Sequence, residues 1–201
     1  MWIVYVIAGL TWLFSYYVKR KMTSAYERWG AIRNSRNATG AQTAATVLRA
    51  NDLARVRLQP APGKLTDHYD PRSKVIRLSE PVYGVPSVAA MAIGAHETGH
   101  ALQDGVGYGP FRVRSTLVPL ASLGARFGLP AAVVGLMLGA PLYVHIGVWT
   151  FVGALLFQFA TLPVEFNASK RARKQLDDLG LVDDVDREGV KEMLGAAALT
   201  Y

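Results

Sequence analysis

The stretch AHETGHALQD, residues 95–104, contains two of the four histidines of the chain, and a glutamate follows the first of them. In a helix, His96 and His100 lie four positions apart and share one face. Two imidazoles placed in this way can bind one zinc ion, with Glu97 beside the water that the metal activates. The alternative interpretation of the same residues is a core helix that carries two hydrogen-bonded histidines.

The residues around the motif favour a helix. Ser87 can cap its beginning, and we predict that it runs to about Asp104, with Gly105 just past its end. Ala89 and Ile93 lie on an apolar face that can bury the site. A catalytic zinc site leaves one position open for water, and a glutamate can take the proton of that water. We therefore predict one Zn²⁺ per chain, with the motif glutamate as general base.

Three apolar regions are long enough to cross a membrane. Residues 1–18 are uncharged and rich in Trp and Tyr. They lack a signal-peptide cleavage pattern, which predicts an uncleaved transmembrane anchor. A longer apolar region fits two spans near 116–138 and 142–162, because Gly139-Ala140-Pro141 interrupts it. Arg126 would lie within the second span, where we expect it to pack or to reach the interface.

The positions of Lys and Arg predict the orientation. Six of them lie between residues 19 and 36, and others precede the second span and follow the third. The positive-inside rule then places residues 19–114 and 163–201 in the cytoplasm. The net charge of +7 therefore indicates a membrane surface, and no nucleic-acid-binding signature accompanies it.

The part between the anchor and the motif should contain a helix and a small sheet. Thr39-Gly40-Ala41-Gln42 forms a capping box, followed by an amphipathic helix to about Ala50. The runs 55–58 and 74–78 alternate as strands do, with Asp70-Pro71 at the turn between them. We hypothesise that 74–78 is an edge strand that receives the substrate as an added strand.

A third metal ligand must be His, Asp or Glu, because the chain has no cysteine. The candidates are Glu165, Asp104, His68, His145, Asp177 and Asp178. His145 is predicted in the outer loop, across the membrane, and Asp104 lies beyond the metal on the motif helix. Glu165 follows the third span at its cytoplasmic end. Ser169, one turn later, could hold a carboxylate or an imidazole in place.

Three stretches together resemble one family: HYDPRSKVIRLSEPVYG, HETGHALQD and LPVEFNASKRA. The chain is similar there to the bacterial membrane zinc metallopeptidases of the YugP type, and more distantly to the HtpX-like gluzincin membrane proteases. The resemblance covers residues 40–201 and the first anchor. It implies a mainly α, membrane-embedded, gluzincin-like zincin with about three transmembrane helices and a small β-sheet next to the HExxH helix.

The resemblance also implies a ligand set, namely His96, His100 and Glu165, with Glu97 as the base. The chain has Ser169 where the more distantly similar HtpX-like proteases carry aspartate, and Asn167 where aspartate is expected in close relatives, so the groups that orient the ligands differ. Four residues flank the site in the sequence: His68, Tyr69, Tyr83 and Tyr108. One of them is expected to stabilise the oxyanion, unless all four are packing residues.

We predict four segments: an anchor, 1–18; a cytoplasmic metallopeptidase part, 19–114; a transmembrane hairpin, 115–162; and cytoplasmic-side helices, 163–201. The resemblance implies a further transmembrane helix after them. The predicted function is a multi-pass cell-membrane zinc endopeptidase with a cytoplasmic-side active site. Its substrate would be a peptide or a membrane protein, and its other partner the lipid bilayer.

Two alternatives remain. The first is an intramembrane metalloprotease, because Leu176-Asp177-Asp178-Leu179-Gly180 is similar to the aspartate ligand motif of that class. The second is a membrane scaffold with a structural zinc ion and no catalysis. The glutamate of HExxH argues against the scaffold, since a structural zinc site needs no base.

Overall fold

The computed structural model of the protein describes residues 2–199, with the side chains of residues 9, 10 and 12–199. This part of the chain is mainly helical and contains one small sheet, as predicted. The elements are α1 Trp2–Gly30, α2 Gly40–Ala50, β1 Arg57–Ala61, β2 His68–Asp70, β3 Val75–Ser79, α3 Glu80–Gly84, α4 Val88–Gly105, α5 Gly109–Met137, α6 Pro141–Asp178 and α7 Asp184–Ala197.

Helix α4 carries the HExxH motif and forms the centre of the core. Every residue from Val88 to Gln103 is buried, and the helix packs against α2, α6, α7 and the sheet. The Ser87 side chain accepts a hydrogen bond from the backbone N–H of Ala90 at 3.1 Å, so the predicted cap is confirmed. The predicted end is slightly wrong. Gly105 is the last helical residue, and the left-handed turn (φ +66°) falls at Gly107.

Helix α2 begins at the predicted capping box. Thr39 Oγ1 accepts from the Gln42 N–H at 3.1 Å, and Gln42 Oε1 accepts from the Thr39 N–H at 2.9 Å. The helix packs very closely on α4, since a Cβ atom on Gly94 would lie 2.5 Å from the carbonyl oxygen of Gly40. A glycine at each of these positions therefore lets the two backbones touch.

The sheet has the strand order β1-β3-β2, with β3 parallel to β1 and antiparallel to β2. The two predicted strands are present, each shifted toward the C-terminus, and β2 joins them just before the Asp70-Pro71 turn. The hypothesis that 74–78 is an edge strand is wrong, because β3 is the central strand. Four of its five residues are buried, as expected for a strand with neighbours on both sides.

Two helices of the described chain, α5 and α6, are long and apolar enough to cross a membrane. They pack against each other and leave large apolar side chains exposed, among them Leu120, Met137 and Trp149. The predicted break between them is confirmed, with Gly139 at φ +61°. Both helices extend beyond the predicted spans, and α6 runs without interruption through Pro163 to Asp178.

The predicted anchor, residues 1–18, belongs to the longer helix α1. The later half of α1 is packed into the protein, where Val18, Met22, Ala25 and Trp29 are buried against α4 and α7. Met1 and the side chains of residues 2–8 and 11 lie outside the described residues. The anchor as a third membrane span stays a prediction.

Helix α7 closes the fold over α1 and α4. It follows a left-handed turn at Gly180 (φ +60°), just after the end of α6 at Asp178. The Trp29 indole N–H donates to Glu192 at 2.7 Å, and the buried Asp186 accepts from the N–H and hydroxyl groups of Ser35. These contacts tie α7 to α1 and to the segment that follows α1.

Candidate metal centre

Three buried side chains bring their ligand atoms to one point. His96, His100 and Glu165 offer atoms that all lie within 4.8 Å of one another. Glu165 Oε2 is 3.2 Å from His96 Nε2 and 3.3 Å from His100 Nε2. Two imidazoles and a carboxylate are a donor set that suits zinc. The residues present therefore fit the metal that the sequence predicts.

The helices explain why these atoms meet. The i, i+4 spacing on α4 stacks the two imidazoles edge to face, with ring centroids 4.9 Å apart. Glu165 comes from α6, which crosses α4 at Gly99. A Cβ atom on Gly99 would lie 2.4 Å from the carbonyl oxygen of Ala168, so only glycine allows this approach. The glycine of the motif thus brings the carboxylate of α6 to the histidines of α4.

The ring of His96 is oriented from its far side. Its Nδ1 atom lies 3.1 Å from the Ser169 hydroxyl, which donates its own hydrogen to the Leu194 carbonyl at 2.9 Å. The hydroxyl oxygen can therefore only accept from the ring, and Nδ1 must carry the proton. Nε2 is left with a free lone pair on the side of Glu165, as a metal ligand requires.

A glutamine orients the other ring. His100 Nδ1 lies 3.0 Å from Gln103 Oε1, and the Gln103 amide nitrogen donates to the Val164 carbonyl at 2.7 Å and to Asn167 Oδ1 at 3.1 Å. The glutamine oxygen must then accept from Nδ1–H, which again leaves Nε2 for a metal. The sequence interpretation missed Gln103, although its position three residues after His100 places it on the same helix face.

Asn167 contacts Gln103, the residue that orients the His100 ring. Its Oδ1 atom accepts from Gln103 and also from Arg171 Nε, at 2.8 Å. The residue therefore supports the glutamine that supports His100.

A cation lies on the remaining side of Glu165. Arg114 Nη2, from α5, is 2.8 Å from Glu165 Oε1, and the two side chains are 14% and 0% exposed. The sequence interpretation used Arg114 only as one of the basic residues that set the orientation. No sequence signal links it to the site, since α5 and α6 bring the pair together through space.

The general base candidate, Glu97, faces a cavity of about 570 Å³. Burial is the main cause that raises the pKa of Glu97 to about 7; His96 opposes this shift and Asp67 adds to it. A carboxyl group with a pKa near neutrality is well suited to take and return a proton. The cavity lies between α1, α4, α6, the end of α7 and the loop before β2, with Phe14, Lys19, Lys64 and Gln158 in its lining.

Asp67 is a second carboxyl group in this cavity that the sequence interpretation missed. It accepts from the backbone N–H of Ser79 at 2.7 Å and from the Ser79 hydroxyl at 3.1 Å. Burial raises the pKa of Asp67 above its ordinary value of 3.8, although both hydrogen bonds lower it. The residue connects the loop before β2 to the end of β3.

The four predicted oxyanion candidates do not appear among the described residues that line this cavity. Tyr69 donates its hydroxyl hydrogen to Asp104 at 2.6 Å. His68 is exposed, with Nδ1 2.8 Å from the Thr66 carbonyl. Tyr83 and Tyr108 pack against the hydrophobic core, so each of the four has a contact elsewhere.

The other candidate ligands also have different partners. Asp104 pairs with Lys74 as well as with Tyr69. Asp177 accepts from Arg187 Nη1 at 2.8 Å on the surface. His145 lies exposed in the early part of α6, so its predicted position in a loop is wrong. Within residues 2–199, the group of His96, His100 and Glu165 is the one set of His and acidic residues that meets around a single point.

Comparison with known proteins found a matching family and a relative. A sequence model of the family described as "Putative neutral zinc metallopeptidase" matches residues 3–201. The chain is 39% identical over 187 residues to the "Putative membrane protease YugP" of Bacillus subtilis (strain 168). The aligned residues cover 93% of this chain and 83% of that protein. No solved structure matches the chain.

Proposed function

The chain belongs to the neutral zinc metallopeptidase family, and on this premise we propose that it is a membrane-bound, zinc-dependent endopeptidase. In this proposal His96, His100 and Glu165 bind one zinc ion. The observation that supports it most is the distance of 3.2–3.3 Å from Glu165 Oε2 to each Nε2 atom. A structural pair of histidines would not require a buried carboxylate at the same point.

The proposed reaction assigns the proton transfers to Glu97. A bound zinc ion supplies an activated water and polarises the carbonyl of the scissile peptide bond. Glu97 takes the proton of the attacking water on its carboxylate and returns it to the nitrogen of the leaving amine. Its burial excludes bulk water, and its position next to His96 places it beside the metal. Ser169 and Gln103 hold the two rings with Nε2 toward the metal throughout.

The test is a comparison of wild type, Glu97→Gln and Glu188→Gln in detergent. Glu188 is an exposed glutamate on α7, which makes it a matched control. We expect Glu97→Gln to keep its zinc and to lose peptide cleavage by about 10²- to 10⁴-fold, the usual contribution of a general base. Glu188→Gln should behave as wild type. Full peptide cleavage by Glu97→Gln in vitro, or full function of this variant in cells, would support the scaffold alternative.

The intramembrane alternative uses Asp177 as the third ligand. The pairing of Asp177 with Arg187 on the surface argues for Glu165 instead. Replacement of Asp177 by asparagine should therefore leave the zinc content unchanged. Loss of zinc in this variant would favour the alternative.

We also propose a multi-pass membrane protein with its active site on the cytoplasmic side, acting on peptides or membrane proteins. The relative named a membrane protease and the two apolar helices support the membrane location. Because the chain has no cysteine, single cysteines at Ala140 and Asp178 can report the orientation. A membrane-impermeant maleimide should label Ala140→Cys in intact cells. It should label Asp178→Cys only after the membrane is permeabilised. The reverse pattern would contradict the proposed orientation.

A further inference from the structure

We propose that Arg114 is a positioning residue for the metal, which holds Glu165 so that the carboxylate offers only one oxygen to zinc. The proposal rests on the proposed function of the site. It assigns a role to a residue of α5, the first of the two apolar helices.

The two oxygens of Glu165 have separate partners. Oε2 is 3.2 and 3.3 Å from the two imidazole nitrogens, on the side where a metal would lie. Oε1 is 2.8 Å from Arg114 Nη2. A bond from the guanidinium to Oε1 keeps the carboxylate plane from turning both oxygens toward the histidines.

Charge gives a second reason for the pair. Glu165 is fully buried, and Arg114 Nη2 places a positive charge 2.8 Å from its Oε1 atom. A buried carboxylate without a partner is strongly destabilising. A guanidinium remains protonated at every physiological pH. Arg114 therefore offsets part of the cost of burying this carboxylate, through the oxygen other than the one near the histidines.

The number of ligand oxygens decides whether the site can react. A catalytic zinc with three protein ligands keeps its fourth position for water. A carboxylate that binds through both oxygens would occupy space next to that position. By holding Oε1 away, Arg114 leaves the open position to the water that Glu97 must deprotonate.

The pair also connects the site to the apolar hairpin. Arg114 lies in the second turn of α5, and Glu165 lies on α6. The two helices approach closely at small residues, since a Cβ atom on Gly147 would lie 2.4 Å from the backbone nitrogen of Ala132. The distance between guanidinium and carboxylate is thus set by how the hairpin packs.

The experiment compares wild type, Arg114→Met, Arg114→Lys and the control Arg126→Met, each loaded with Co²⁺ in place of zinc. Arg126 lies on the same helix, with its guanidinium over the Phe127 ring. The visible absorption of Co²⁺ is strong in a four-coordinate site and weaker in a five-coordinate one. Zinc affinity, measured by competition with a chelating dye, is the second readout.

We expect wild type, Arg114→Lys and Arg126→Met to share the four-coordinate spectrum. Arg114→Met should shift toward five coordination and bind zinc about 10- to 100-fold more weakly, as is usual when a group that orients a ligand is removed. Rescue by lysine, which keeps the positive charge, separates this role from simple packing. Should Arg114→Met fail to fold, Arg114→Gln is expected to give the same shift by a smaller factor.

An unchanged spectrum and affinity in Arg114→Met, or in Arg114→Gln where that variant is used, would overturn the proposal. A variant that loses turnover but keeps the wild-type spectrum and zinc affinity would also overturn the proposal, since that result would mean that Arg114 contacts the substrate. A wild-type protein that binds neither metal would instead refute the proposed function, so the two failures are distinguishable.

Discussion

Gln103 Oε1 lies 3.0 Å from His100 Nδ1, and the amide nitrogen of the same side chain donates to the Val164 carbonyl at 2.7 Å. One side chain thus ties a proposed ligand on α4 to the backbone of α6, next to Glu165. The glutamine is fully buried, so neither of its bonds competes with water.

The first prediction concerns this residue. Gln103→Leu leaves the Val164 carbonyl without its donor and lets the His100 ring choose either tautomer. We expect zinc to bind about 10- to 100-fold more weakly. A competition titration measures the change. Gln175→Leu is the matched control, because the Gln175 amide oxygen also accepts a hydrogen bond, from Asn51, but lies on α6 away from the metal group. Equal zinc affinity in both variants would contradict the assigned role.

The second prediction concerns Ser169, where the distantly similar HtpX-like proteases are expected to carry aspartate. Its hydroxyl both accepts from His96 and donates to the Leu194 carbonyl at 2.9 Å. A carboxylate cannot donate, so Ser169→Asp would place two acceptors in contact. We expect it to lower the free energy of unfolding by about 1–3 kcal/mol, the usual cost of an unsatisfied buried polar group.

Ser169→Thr keeps the hydroxyl and serves as the control, with thermal unfolding in detergent as the measurement. A stability of Ser169→Asp at or above that of wild type would show that the Leu194 carbonyl does not select serine here.

The third prediction concerns the glycine of the motif. Gly99→Ala would bring a methyl group to 2.4 Å from the Ala168 carbonyl oxygen, so α6 must move away from α4. Glu165 would move with it, and we expect loss of both zinc binding and thermal stability. Gly195→Ala on α7 is the control, because nothing lies within 4 Å of its Cβ position. The control should gain up to about 1 kcal/mol, the difference in helix propensity. Normal zinc binding by Gly99→Ala would refute this account of the helix crossing.

These examples show what could be predicted from the sequence. The caps at Ser87 and Thr39 and the break at Gly139 were predictable, because each depends on neighbours within a few residues. The role of Gln103 could also have been predicted, since Gln103 shares a helix face with His100. Local patterns of this kind predict single elements well.

Other features depend on packing between distant segments. Arg114 meets Glu165 only because α5 and α6 are adjacent. The central position of β3 depends on β2, a three-residue strand too short to show a pattern. The apolar residues of β3 are compatible with a central strand and also with an edge strand that has one covered face. No local signal therefore distinguished the two positions.

The fourth prediction concerns pH. Burial raises the pKa of Asp67 above its ordinary value, so the folded protein favours the protonated form. The stability that this carboxyl contributes is present below its pKa in the unfolded chain, roughly 3.9, and is lost as pH rises through the higher folded-state value. Asp67→Asn does not titrate. We therefore expect its stability to increase relative to wild type as pH rises from about 4 toward 7.

Thermal unfolding of both proteins with a chelator present measures this difference. Asparagine keeps an acceptor for the Ser79 N–H, so the hydrogen bond to β3 can be retained. A difference between the two proteins that stays constant with pH would contradict the raised pKa.

The central claim is that His96, His100 and Glu165 bind one zinc ion, and elemental analysis of detergent-purified protein tests it most directly. Wild type should contain one zinc per chain, and Glu165→Ala much less, while the control Glu188→Ala should equal wild type. Full zinc in Glu165→Ala would contradict the assignment of the third ligand. No zinc in wild type would mean that the two histidines are core residues, and the proposed peptidase would be wrong.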